Sequence, residues 1–454
     1  MISFLKEAAH VRPSQKQLDW LDMESYAFVH FSPNTYTDLE WGNGDEPESI
    51  FNPTKLDCGQ WVEAIKSAGM KGMVLTAKHH DGFCLWPSQY TEHSVKNCPV
   101  KRDIVKEAAD ACRRGGIKFG FYLSPWDRNS KYYGTPEYND YFCSQLTELL
   151  TQYGEIFYVW FDGACGEGPN GKKQVYDFPR YHELIHKYQP NAVIFSDYGP
   201  DIRWCGNEAG VARHSEWAVV PSELCTRAQV QTGPGPLAGE GDLSYMYNTD
   251  GEIGTMSNIL YSKGLCFVPS EIDMSIRPGW FWHENEEPHS LERLFKTYLT
   301  SVGANACFNL NVPPNRDGLI DERDVKRLKE YGDLLKKEFG APIPAKVEKV
   351  PGCPDTQPQY TITFDKARKD VKYVVLAENI AQGQRVESFR ITRNDEKIAC
   401  FEGTCIGHKR ICPLWDPFAN QNPLTDDSAP EIEKLTVHIT AARDEVLMKD
   451  IIVY

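Results

Sequence analysis

The sequence predicts an α/β fold: a (β/α)8 barrel of the TIM type followed by an all-β sandwich. Three observations predict it. Apolar, strand-like runs alternate with stretches of helical spacing up to about residue 340; several of those runs end, at the carboxyl side, in a polar cluster; and beyond residue 344 the pattern changes to short alternating strands. The chain has 454 residues. A single core stops growing at roughly 250–300 residues, so two domains are expected, placed at 1–344 and 345–454.

Tyr26 to Ser32 reads as the first strand, after which Pro33 and Asn34 open a loop carrying Glu40 and Trp41. Cys58 to Ala68 has helical spacing. The second strand runs from Gly72 into Lys78-His79-His80-Asp81-Gly82, with a helix at Ile104–Arg114 behind it. Lys118 to Trp126 is the third strand, followed by a helix at about 138–153. The fourth, Ile156-Phe157-Tyr158-Val159-Trp160-Phe161, is an unbroken apolar run that ends in Asp162 and Gly163, as a strand buried on both faces does. A helix around Tyr181–Tyr188 leads to the fifth strand, Ala192 to Asp197, also acidic at its end.

The later units are less regular. The sixth strand is expected near Arg213–Trp217 and the seventh near Leu265–Ser270, with the Gly- and Pro-rich stretch Val220–Ile259 forming loops around a site. A helix at Leu291–Val302, an eighth strand at Ala306–Val312 and an amphipathic helix at Asp321–Phe339 close the barrel. Gly340-Ala341-Pro342-Ile343-Pro344 then stops the helix, and Tyr360–Phe364, Tyr373–Ala377, Ser388–Thr392 and Leu435–Ile439 alternate as sandwich strands.

Composition narrows the partners. Forty-nine basic against sixty-four acidic residues leave a net charge of −15, which disfavours nucleic acid and anionic membranes, both of which need a cationic face. Eleven Trp, 22 Tyr and 21 Phe suit stacking on the flat faces of sugar rings. The 14 cysteines include no C-x-x-C pair and read as small reduced core residues. The amino terminus lacks a signal-type apolar core, and no run approaches the roughly 18 apolar residues of a membrane span, so a cytoplasmic protein is expected, with a trimmed periplasmic or secreted form as the alternative. The oligomeric state is not legible.

In a parallel barrel, sites are built at the carboxyl ends of strands. There the sequence gathers His30, His79, His80, Tyr122, Trp160 and Asp162, with Glu40 and Trp41 on the first loop. Taken singly, each has an ordinary explanation as a core histidine, a core tryptophan or a loop residue. Their agreement across independent strands is what points to a site. A divalent metal on His79-His80-Asp81 is disfavoured, because neighbouring strand residues face opposite ways and no H-x-H or H-E-x-x-H spacing occurs. Paired-carboxylate glycoside hydrolysis fits better, with Asp162 as nucleophile and either Glu208 or Glu216 as acid/base; spacing alone does not choose between them.

His30 after the first strand, Lys78-His79-His80-Asp81-Gly82-Phe83, Trp160-Phe161-Asp162-Gly163 and Asn309-Leu310-Asn311-Val312-Pro313-Pro314 together resemble the α-L-fucosidases of glycoside hydrolase family 29, over roughly residues 10 to 340. The resemblance implies a retaining mechanism without metal or other cofactor, and a fucosylated oligosaccharide or glycoconjugate as substrate. It implies Asp162 as nucleophile and His30, Glu40, Trp41, His79, His80, Tyr122 and Trp160 as the residues that hold the fucose ring. Trp204-Cys205-Gly206-Asn207-Glu208 resembles the acid/base region of the branch acting on α-1,3/1,4-linked fucose, which favours Glu208. Ile276-Arg277-Pro278-Gly279-Trp280-Phe281 resembles the same branch and implies Trp280 near the leaving-group sugar. One departure is Phe31-Ser32, where many members carry Trp-Gly. A retaining pair should lie about 5–5.5 Å apart, with the acid/base carboxyl raised in pKa. Two rival readings are a broad-specificity α-L-fucosidase using Glu216 and a fucose-binding protein that turns nothing over.

Overall fold

The computed structural model describes residues 2–196, 199–223, 251–415 and 431–454. Asp197 and most of the stretch read as site-forming loops, residues 224–250, lie outside the described residues. Eight parallel strands form one sheet: β1 (Ser25–Val29), β2 (Gly72–Lys78), β3 (Lys118–Leu123), β4 (Tyr158–Trp160), β5 (Val193–Phe195), β6 (Arg203–Trp204), β9 (Ser270–Ser275) and β10 (Ala306–Asn311). Their order is β5-β4-β3-β2-β1-β10-β9-β6, and a parallel bridge between Phe195 and Ile202 brings the two ends of that order together. The sheet therefore curls into the predicted barrel.

Two strand assignments change. Residues 213–217 are not a strand; β6 begins at Arg203, soon after β5 ends at Phe195. Leu265–Phe267 (β8) is a real strand, but it pairs antiparallel with β7 (Val219–Pro221) outside the barrel, and the barrel strand is β9, which begins at Ser270. The reason is chemical. Ser-Glu-Ile-Asp-Met-Ser is fully buried yet alternates polar with apolar residues, so a search for apolar runs selects its neighbour instead.

The helices form where caps and apolar spacing agree. Asp57 caps Cys58–Ser67 by accepting the Gly59 and Gln60 N–H groups, Asp103 caps Ile104–Gly115, and Asp321 caps Glu322–Phe339. A short helix, Gln15–Leu21, begins in a Ser14/Gln17 capping box and closes the bottom of the barrel, where Trp20 and Leu21 join a core of Tyr26, Phe28, Val74, Tyr158 and Phe195. The barrel interior is thus largely aromatic, and its upper layer becomes the wall of a cavity.

Beyond the closing helix, a five-stranded antiparallel sheet runs β11 (Lys346–Lys349), β12 (Gln359–Arg368), β17 (Ile432–Ala442), β14 (Val386–Arg393), β15 (Ala399–Gly403). It faces a three-stranded one, β16 (Arg410–Pro413), β13 (Tyr373–Glu378), β18 (Met448–Val453), across a core that includes Ile362, Leu376, Ile391, Leu435 and Val453. This sandwich is bonded to the barrel: Gln384 Oε1 accepts the N–H groups of Ala218 and Val219, and the Ile411 N–H donates to Gly303.

Twelve described cysteines are free thiols, but Cys266 is disulfide-bonded, which corrects the reading of all fourteen as reduced. Among the described residues no helix is long and apolar enough to cross a membrane.

Candidate active site

The carboxyl ends of the barrel strands open on a cavity of about 450 Å³. His30 follows β1, His79 and His80 follow β2, Tyr122 lies on β3, and Trp160 and Asp162 end β4. Glu208 comes from the segment after β6 and Trp280 from the segment after β9. The loop after β1 brings in Glu40 and Trp41. The ten residues expected to act or to hold the sugar line this one cavity, together with Phe28, Trp204 and Asp273, whereas Glu216 does not.

Asp162 is held by neutral donors. The Tyr122 hydroxyl donates to Oδ2 at 3.0 Å and the Ala164 N–H to Oδ1 at 2.7 Å, while His80 Nε2 stands 3.8 Å from Oδ2. Burial, reinforced by the Asp162 charge, pushes the Tyr122 phenol well above its ordinary value, so it remains a donor. Among the described residues no Lys or Arg forms an ion pair with this carboxylate.

The three histidines are kept uncharged. Burial pushes His30 down to about 3, against a bond to Asn311 that opposes it, and it lowers His79 well below the usual range. It lowers His80 too, although the Asp162 charge pulls the other way. Their tautomers follow from their partners. Ser124 donates its hydroxyl to the Trp126 carbonyl (2.7 Å), so His80 Nδ1, 2.7 Å from the same oxygen, is a donor and Nε2 an acceptor. Asn311 donates its amide to Ser275 Oγ and to the Trp280 carbonyl, so its Oδ1, 2.9 Å from His30 Nδ1, accepts. His30 and His80 therefore each have a neutral acceptor nitrogen, matched to hydroxyl donors. Among the described residues no group of three His, Cys, Asp or Glu side chains is arranged to hold a metal ion.

Glu208 stands at the rim with its Oε2 accepting the indole N–H of Trp280 at 2.9 Å. Partial desolvation raises its pKa, the Trp280 bond opposes this, and the Asp162 and Glu40 charges add to the rise. Glu40, expected to hold fucose, has its carboxylate largely engaged: it accepts the N–H groups of Trp280 (2.8 Å) and Phe281 (3.3 Å) and meets His283 Nε2 at 2.7 Å. It therefore fixes the Trp280 loop. Gly279 permits the approach, because a Cβ there would lie 2.6 Å from Glu40 Oε1. Trp41, 57% exposed, meets His80 and Trp126 edge-on at the mouth.

Glu216 lies elsewhere. It is fully buried outside the cavity lining, bonded to Arg203 Nη2 (2.7 Å), the Arg213 N–H (3.0 Å) and Arg213 Nη1 (3.4 Å). Burial would raise its pKa, but the two guanidinium groups outweigh that and hold it below the ordinary value. Sequence reasoning missed Glu271 and Asp273 on β9. Glu271 accepts from Tyr158 (2.6 Å), Trp160 (2.8 Å), Asn309 (3.3 Å) and Tyr26, and so anchors the cavity wall from below. The one available signal was two carboxylates spaced to share a strand face.

Comparison with known proteins identifies the family. The family model for alpha-L-fucosidase matches residues 10–177 and 172–339. Alpha-L-fucosidase 1 of Arabidopsis thaliana is 41% identical over 433 residues, 88% of this chain and 81% of the relative. The crystal structure of a glycoside hydrolase 29 family member from an unknown rumen bacterium superposes with a TM-score of 0.81 at 36% identity, covering 99% of this chain and 78% of the other. A Ruminococcus gnavus GH29 fucosidase in complex with fucose superposes with a TM-score of 0.79 at 27% identity, covering 98% and 95%. A family model matched over residues 10–339 and 41% identity across most of a curated relative mean that the chain belongs to the alpha-L-fucosidase family of glycoside hydrolases.

Proposed function

We propose that the protein is a retaining exo-α-L-fucosidase that removes terminal fucose, α-1,3- or α-1,4-linked to branched Lewis-type glycans, with Asp162 as nucleophile and Glu208 as acid/base. The observation that carries this reading is that Asp162 and Glu208 open on the same cavity, one held by neutral donors and the other raised in pKa by partial desolvation and by the first one's charge, whereas Glu216 is locked between two arginines.

In the first step an Asp162 oxygen attacks the anomeric carbon, the bond to the leaving oxygen breaks, and Glu208 gives that oxygen its proton. A fucosyl ester on Asp162 results. In the second step Glu208, now ionised, takes a proton from water, which attacks the same carbon and frees Asp162. Neutral His30 and His80 accept hydroxyl protons of the sugar, and the Trp160 and Tyr122 faces border it. Trp204 and Trp280 flank Glu208 at the mouth, where the leaving-group sugar would stack; that placement supports the branched-glycan reading.

The test is fucose release from 3- and 4-fucosylated lacto-type trisaccharides and from 4-nitrophenyl fucoside, with the first-formed anomer read by NMR, for the intact protein and for Asp162→Asn, Glu208→Gln and Glu216→Gln. The α-anomer as first product, trisaccharide preferred, and activity lost through chemistry in the first two variants only are expected. A β-anomer would overturn the retaining mechanism, and preference for the aryl fucoside would overturn the linkage assignment.

A further inference from the structure

Strand β9 places two carboxyls, Glu271 and Asp273, two residues apart on one face. They differ in what surrounds them. Glu271 has four side-chain donors, whereas Asp273, 3% exposed and lining the cavity, receives one side-chain donor, the Trp204 indole N–H at 2.9 Å, besides its own backbone N–H. Among the described residues no cation forms an ion pair with it. A buried carboxylate with only neutral donors and no cation beside it is costly to keep charged, so this carboxyl keeps its proton. The backbone here also holds the neighbouring segment: the Gly210 N–H donates to the Asp273 carbonyl at 3.1 Å, Met274 bridges Ala209, and the Cys205 N–H donates to Glu271 at 3.1 Å. Residues 205–210, with Glu208 among them, are stapled to β9 on either side of that residue.

Resting on the proposed role of Glu208, we propose that Asp273 is a positioning residue for it: a neutral carboxylic acid that fixes Trp204 and the Glu208 segment against β9 without adding a negative charge beside the acid/base. The groups facing Asp273 are Glu271 on its own strand, Glu208 and Cys205 from the segment after β6, and the uncharged Asn309 in register on β10. Burial pushes the Asp273 carboxyl well above the usual carboxylate range, and the charges of Glu271 and Glu208 push it further. An ionised Asp273 would raise Glu208 in turn and hold its proton through the second step, when water must be deprotonated.

The experiment compares kcat/KM against pH for wild type, Asp273→Asn and Asp273→Ala, on 4-nitrophenyl fucoside and on a fucosylated trisaccharide, with infrared difference spectra of the Asn variant against wild type. Asn keeps an acceptor for Trp204 and carries no charge, so its alkaline limb should stay within about 0.3 pH unit of wild type, and its difference spectrum should lose a protonated-carboxyl C=O band. Ala removes the acceptor; its kcat/KM should fall roughly tenfold more on the trisaccharide, whose leaving group needs the proton, than on the aryl fucoside. A limb moved down by about a unit or more in the Asn variant, or no protonated band, shows a charged Asp273 and overturns the proposal. Equal losses on both substrates in the Ala variant overturn the link to Glu208. Should that variant not fold, the Asn profile and spectrum decide. A Glu208→Gln enzyme that keeps the alkaline limb would sink the acid/base reading instead, while the infrared band still reports the Asp273 proton.

Discussion

Glu208→Gln and Glu216→Gln should fail in opposite ways, because one carboxylate faces the cavity and the other is a structural counter-ion. In Glu216→Gln, Arg203 and Arg213, both buried, keep only a neutral amide where a carboxylate received two guanidinium N–H groups and a backbone N–H. Removing one partner of a buried ion pair costs about 3–5 kcal/mol. That is a large share of the roughly 5–15 kcal/mol by which folded proteins are stable. The loss depends on pH with a definite sign. Glu216 sits below its ordinary value of 4.5 in the folded state, so its contribution is full above that pH and declines as pH falls through the folded-state value. Urea unfolding followed by tryptophan fluorescence at neutral and acidic pH, with kcat on 4-nitrophenyl fucoside under native conditions, measures both terms. The variant should unfold at markedly lower urea at neutral pH, with the gap to wild type narrowing in acid, while its folded fraction turns over near the wild-type rate. Wild-type stability combined with a collapse in kcat would refute the reasoning and move the acid/base to Glu216.

Three further outcomes follow from the site. In the proposed mechanism protonated Glu208 is the active form in the first step, so kcat/KM should fall as pH rises through a value above the ordinary glutamate range; Glu208→Gln should remove that limb and depress trisaccharide hydrolysis by about 10²–10⁴, with added azide restoring turnover of the aryl fucoside as a fucosyl azide. Glu40→Gln weakens the charge-assisted bonds that fix Trp280, each worth about 1.5–3 kcal/mol, and should cost about 10- to 100-fold in kcat/KM with little change in melting temperature. His30 should show no titration near the ordinary histidine value of about 6.5 in heteronuclear NMR, because burial holds it neutral to about 3; a histidine-like midpoint for His30 would contradict the acceptor role given to it.

The sequence by itself determined the alternation of strands and helices, the switch to a sandwich, and most of the rim. Those features are local: buried parallel strands read as apolar runs, and a polar residue ending such a run at its carboxyl side marks the functional end of a barrel. What it could not order was the stretch after β5, because a two-residue strand such as Arg203–Trp204 has no periodicity to detect, and β9 carries carboxyls where a buried strand is expected to carry Val or Ile. Glu271 and Asp273 are tolerable inside the barrel only through donors and neighbours from distant segments: Tyr26 and Tyr158 for one, Trp204 for the other. The difference in surroundings between Glu208 and Glu216 is likewise tertiary. The two lie eight residues apart in equally polar sequence, and what separates them is that Arg203 and Arg213 close around one, while Trp280, held by Glu40 from the loop after β1, meets the other.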